Sequence, residues 1–88
     1  MKGRRLILND GTIIEDGEAG FADGALWCWM RGYTMAEAAA IFLDREKTAV
    51  IVFQYGEVED RYEGFTECLR LMDDGGRVSV CLEKEVNR

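Results

Sequence analysis

The side chains best placed to act on something outside the chain are carboxylates. From Glu57 to Asp74 there are seven acids (Glu57, Glu59, Asp60, Glu63, Glu67, Asp73 and Asp74) against Arg61 and Arg70, a local charge of −5 out of a formal net charge of −6. A strand over Val58 to Glu63 would put Glu57, Glu59 and Glu63 on one face, since side chains alternate along a strand and same-face neighbours stand about 6.5–7 Å apart. Carboxylates at that pitch imitate a track of phosphates and suit a basic nucleic-acid groove on another protein. Glu57, Glu59, Asp60 and Glu63 are therefore candidate partner-binding residues. A charged strand is equally the common device that keeps a sheet edge from pairing with another chain, and both readings stand.

A second candidate surface is aromatic. Ala25 to Arg31, ALWCWMR, reads as a strand with Leu26, Cys28 and Met30 on one face and Trp27 and Trp29 on the other. The two tryptophans either complete the core under a loop or form an exposed anchor, because tryptophan is enriched at interface hot spots and large apolar patches mark partners.

Other chemistry finds little support. There is no histidine, which removes the usual general base near neutral pH and the commonest metal ligand. Cys28, Cys68 and Cys81 lack the close spacing of a zinc site or a disulfide framework. Each lies among apolar neighbours, as buried cysteines do. Asp16, Glu18 and Asp23 do not follow the register of a calcium-binding loop. The glycine-bearing stretch Glu15 to Gly24 has no G-x-G-x-x-G and no lysine, and its negative charge would repel a phosphate. No catalytic, cofactor-binding or metal-binding residues are assigned, and the chain is not expected to be an enzyme.

The elements that must hold these residues are legible in outline. Eighty-eight residues with 48% hydrophobic and 32% charged side chains make a single globular domain, 1–88, with one modest core. The acidic balance disfavours direct binding to nucleic acid or to an anionic membrane. No apolar stretch is long enough to span a bilayer. The odd cysteine count and the short apolar start point to a reduced, intracellular setting.

Arg4 to Leu8 and Thr12 to Ile14 flank Asn9-Asp10-Gly11, a hairpin signal. Glu15 to Gly24 reads as a surface loop. Thr34 and Glu37 have capping-box spacing, and Met35, Ala38, Ala39 and Phe42 recur at helical period, predicting a helix over about 34–46. Val50 to Phe53 continues an apolar run that fits a central strand, about 48–55, covered on both faces. Val58 to Glu63 pairs back on it, and Gly64 marks a bulge. Phe65 to Met72 matches a helical face as well as a strand. Asp73-Asp74-Gly75-Gly76 ahead of alternating Val78, Val80 and Leu82 decides for a hairpin. The tail from Lys84 to Arg88 is expected to fray. The resulting fold class is α+β: one small antiparallel sheet, made of the hairpin, the central strand and further antiparallel strands, with one helix packed on a face.

The order of these elements resembles that of small uncharacterised proteins encoded in prophages and mobile elements of gut bacteria. The likeness is carried by the hairpin on Asn9-Asp10-Gly11-Thr12, the loop into Ala25-Leu26-Trp27, the helix Thr34-Met35-Ala36-Glu37-Ala38 through Ile41-Phe42, the Thr48-to-Phe53 strand, and Tyr62-Glu63-Gly64-Phe65-Thr66 before a final hairpin. The resemblance implies a phage product in the cytoplasm of a bacterial host. With the acidic strand it implies a non-catalytic protein that binds another protein. The leading expectation is an inhibitor of a host defence nuclease in the style of an anti-CRISPR protein, its partner a nucleic-acid-binding host protein. The alternative is a phage structural or assembly component, a homo-oligomer joined through Trp27 and Trp29.

Overall fold

The computed structural model describes residues 3–85, and it is mostly β. Eight strands and two short helices follow one another as β1 (Arg4–Leu8), β2 (Ile13–Glu15), β3 (Glu18–Ala22), β4 (Ala25–Arg31), α1 (Met35–Phe42), α2 (Arg45–Thr48), β5 (Val50–Tyr55), β6 (Val58–Glu63), β7 (Glu67–Asp73) and β8 (Arg77–Glu83). They form two four-stranded antiparallel sheets. Sheet A has the order β2-β1-β5-β6 and sheet B the order β3-β4-β8-β7. This corrects the expectation of an α+β fold with one small sheet and a single helix.

Two local features produce the difference. The stretch Glu15 to Gly24, expected as a loop, contains β3, paired to β4 through Ala19↔Cys28 and Phe21↔Leu26. Asp16 adopts φ +60°, and the chain passes from sheet A to sheet B at Gly17. A Cβ on Gly17 would stand 2.9 Å from Leu6 Cγ and 3.1 Å from Ile14 Cγ2, so only glycine lets the backbone cross there over the packed core. The two-residue turn Asp23-Gly24, with φ +53° and +78°, then has both positive angles of a type I′ hairpin.

The helix, in turn, stops at Phe42. Thr34 and Glu37 form the expected capping box, with Glu37 N–H donating to Thr34 Oγ1 at 3.1 Å and Thr34 N–H to Glu37 Oε1 at 2.8 Å. Asp44 is extended, and its Oδ1 accepts the N–H of Glu46 at 3.0 Å and of Lys47 at 3.4 Å. That side chain offers the backbone an alternative to continuing one helix, so a second short helix begins instead.

Leu6, Leu8, Ile14, Ile51 and Phe53 from sheet A meet Leu26, Cys28, Met30, Val78, Val80 and Leu82 from sheet B in one buried cluster. Helix α1 packs against β7 and β8 and adds Ala38 and Phe42 to that cluster. The inner faces of both sheets share this core, so their outer faces point away from each other. Strand β5 lies between β1 and β6 with Ile51 and Phe53 buried, but Val50 and Val52 on its other face are only half-buried. Its apolar run does not mark a strand covered on both sides.

Phe65 to Met72 resolves as the strand reading, β7. The irregularity expected at Gly64 falls instead between Cys68 and Arg70, where the register shifts. Gly64, at φ +85°, lies on the path from sheet A back to sheet B. Its N–H donates to Ala49 O and its carbonyl accepts from Glu85 N–H, each at 3.0 Å. The expected fraying of the tail falls, from residue 86 onward, outside the described residues.

Candidate functional site

The acidic candidates sit on sheet A. Among the described residues strand β6 is an edge strand, paired only with β5 through Phe53↔Asp60, Gln54↔Glu59 and Val52↔Arg61. Glu57 is exposed in the turn that precedes it, while Glu59 and Glu63 are exposed on its outward side. The row is not purely acidic. Arg61 stands between Glu59 and Glu63 on the same side, and its Nε donates to Glu63 Oε2 at 2.7 Å with both side chains more than half exposed. Glu59 Oε1 accepts from Gln54 Nε2 at 2.8 Å, and Gln54 Oε1 accepts from Arg5 Nε at 2.9 Å. A polar chain thus crosses from β1 to β6.

Asp60 alternates to the inner side and is half-buried. It lies near Tyr62, whose hydroxyl pKa is raised by burial first and by the Asp60 charge second. The alternation of the strand therefore separates Asp60 from Glu57, Glu59 and Glu63.

Trp27 and Trp29 lie on the outer face of sheet B, away from the acidic row. Both are half-buried. Trp29 pairs across to Ser79 and Glu18, and Trp27 to Cys81 and Gly20. A Cβ at Gly20 would make ordinary van der Waals contact with the Trp29 ring, at 3.7 Å. The Arg77 guanidinium stands 5.6 Å from the Trp29 ring centroid, within the range of a cation–π contact. The far edge of the Trp29 ring reaches over Gly20 on β3, and Ser79 and Cys81, opposite the tryptophans on β8, are both buried despite facing outward. This arrangement mixes the two sequence readings, since the rings complete a packed layer and still reach solvent.

The three cysteines are free. Cys28 is fully buried, and desolvation pushes its thiol far above the ordinary range. Burial also raises Cys68 and Cys81. Raised thiol pKa values suppress the thiolate that a nucleophile or a metal ligand needs. Among the described residues, no three His, Cys, Asp or Glu side chains are grouped to hold a metal ion, and no helix is long and apolar enough to cross a membrane. An open cleft of about 630 Å³ lies where the two sheets meet, lined by Arg4, Asp16, Glu18, Arg31 and Tyr55. Arg4 Nη1 pairs with Glu18 Oε1 at 3.2 Å across it.

Two like-charge oppositions that the sequence reading does not contain lie at the two ends of the outer face of sheet B. Arg31 lies directly opposite Arg77, and Glu67 directly opposite Glu83. Only the pairing of β4 with β8 and of β7 with β8 reveals these like-charge pairs. Comparison of the chain with protein-family models, with curated proteins and with solved structures gives no match.

Proposed function

We propose that the protein is a non-catalytic binding protein of phage origin that acts in a bacterial host cytoplasm by occupying a basic, nucleic-acid-binding surface of a host defence nuclease. The observation that carries this reading is the edge strand β6, where Glu59 and Glu63, with Glu57 in the turn before it, stand exposed and β5 is the strand's only neighbour among the described residues. An edge presented in this way can enter a groove, with Glu59 and Glu63 on either side of Arg61, about 13 Å apart, twice the spacing of alternate strand residues. The negative balance of the chain favours rapid capture by a cationic surface. Arg61 tempers the row, and an arginine of the partner would compete with it for Glu63.

The test is competition. Labelled DNA bound to purified bacterial defence nucleases is challenged with the protein at low and at high salt. Displacement at low salt that weakens as salt rises is expected, and it is lost in the variant carrying Glu57→Lys, Glu59→Lys and Glu63→Lys together. Displacement by that triple variant equal to the wild type would sink the acidic-strand reading.

A further inference from the structure

The outer face of sheet B is arranged in rows across the strands. At one end Arg31 and Arg77 lie opposite each other, and at the other end Glu83 lies opposite Glu67. Between them are the row Glu18, Trp29, Ser79 and Met72 and the row Gly20, Trp27, Cys81 and Arg70. Like charges directly opposite on neighbouring strands destabilise a sheet. This face carries two such pairs, of opposite sign, at its two ends. Partial relief comes from Asp74, 3.5 Å from Arg77, and from Arg45, 3.9 Å from Glu67.

The middle of the face has the composition of an interface core, with two tryptophans, a methionine that is 37% exposed and flanking arginines. At its centre Ser79 is only 2% exposed, and its Oγ has no hydrogen-bond partner among the described residues. A buried hydroxyl without a partner is costly, and this one faces outward rather than into the core.

We infer that this face docks a second copy of the chain, laid with its strands antiparallel so that the arginine end of each copy lies over the glutamate end of the other and Arg77 of each faces Glu83 of the other. A two-fold axis in the plane of the interface and perpendicular to the strands produces that overlay. It stacks the Trp29 row of one copy on the Trp27 row of the other. The alternative two-fold, along the strands and between β4 and β8, would set Arg31 of each copy on Arg77 of the other. Charge therefore selects one orientation, as an isologous contact requires. Four strands about 4.8 Å apart and four rows about 7 Å apart offer roughly 500 Å² per copy. Two copies then bury about 1,000 Å², the lower limit for a specific interface, so the dimer is concentration-dependent.

Sedimentation equilibrium tests this with a charge swap. One variant carries Arg31→Glu and Arg77→Glu, and another carries Glu67→Arg and Glu83→Arg. The wild type is expected to dimerise. Each variant alone self-associates more weakly by roughly tenfold or more, because like charges then meet across the contact. An equal mixture of the two recovers a dimer, since a fully acidic rim then faces a fully basic one. Circular dichroism establishes that both variants fold. If the double changes disturb folding, Arg31→Glu alone and Glu83→Arg alone, both at exposed positions, serve in the same mixing experiment. A wild type that is monomeric at its solubility limit, variants that dimerise as the wild type does, or a mixture that stays monomeric would each overturn the proposal. The Glu57, Glu59 and Glu63 lysine variant alters only the other sheet and retains the dimer, so the two proposals fail separately.

Discussion

The two outer sheet faces meet water in different ways. On sheet A the surface is closed by polar contacts between neighbouring strands, with Arg5, Gln54 and Glu59 in one chain and Arg61 with Glu63 beside it. These groups remain largely solvated and keep the edge strand β6 unattractive to other strands. On sheet B two half-buried tryptophans stand opposite Ser79 and Cys81, which are both buried. The first face contributes charge, with little stability, because exposed ion pairs are worth little. The second removes apolar surface from water and leaves the Ser79 hydroxyl without a partner among the described residues. The same sheet geometry thus yields a replaceable surface on one side and a structural one on the other.

Four substitutions probe the two sheets. The largest effect is expected at Trp29, where Trp29→Ala removes the half-buried ring that reaches over Gly20 and lowers unfolding free energy by about 2 kcal/mol, the scale of burying one large side chain. Glu59→Ala on the opposite face stays within about 0.5 kcal/mol, as surface changes do. Urea denaturation of both variants measures the contrast, and equal losses would break it.

Next in size is Ser79→Ala. Removing a buried hydroxyl without a partner is expected to leave stability unchanged or raise it by up to about 1 kcal/mol, measured at a dilution where the chain is monomeric. A clear loss would mean that the hydroxyl is satisfied in solution.

The smallest effect lies in the β1–β2 turn of sheet A. Thr12 hydrogen bonds, through its side chain and through its N–H at 3.0 Å, hold the exposed Asp10 carboxyl below the usual range. A depressed carboxyl contributes stability that is present above its unfolded pKa and is lost as pH falls through its folded value. Asp10→Asn keeps an acceptor and removes the titration, so the acid-side fall in melting temperature becomes slightly shallower. A steeper fall would contradict the assignment.

Much of the local structure is legible before folding. The Leu26, Cys28, Met30 alternation places Trp27 and Trp29 together on one face, and the acidic spacing of β6 places Glu59 and Glu63 on one side. Each rests on a period of two along a single strand. The helix limit was not legible, because Arg45 and Lys47 suit the end of a longer helix while the Asp44 side chain caps a new turn. Strand β3 was hidden because Glu18–Ala22 mixes glycine, alanine and charge, which reads as loop by composition. Its place depends on β4 being available to pair with it. The candidate site divides along the same line: the members within one strand are visible in the sequence, but the Arg31–Arg77 and Glu67–Glu83 oppositions are not.

What the sequence alone determined is the set of short-range decisions. These are the glycine turns, the capping box at Thr34 and the in-out phase of the strands, each governed by interactions within a few residues. Tertiary structure alone decided that β1 pairs with β5 and β4 with β8, which divides eight strands between two sheets. Those pairings join segments far apart along the chain. They form because Leu6, Ile51, Leu26 and Val80 can all leave water only in one shared core, a condition that no local window of sequence contains.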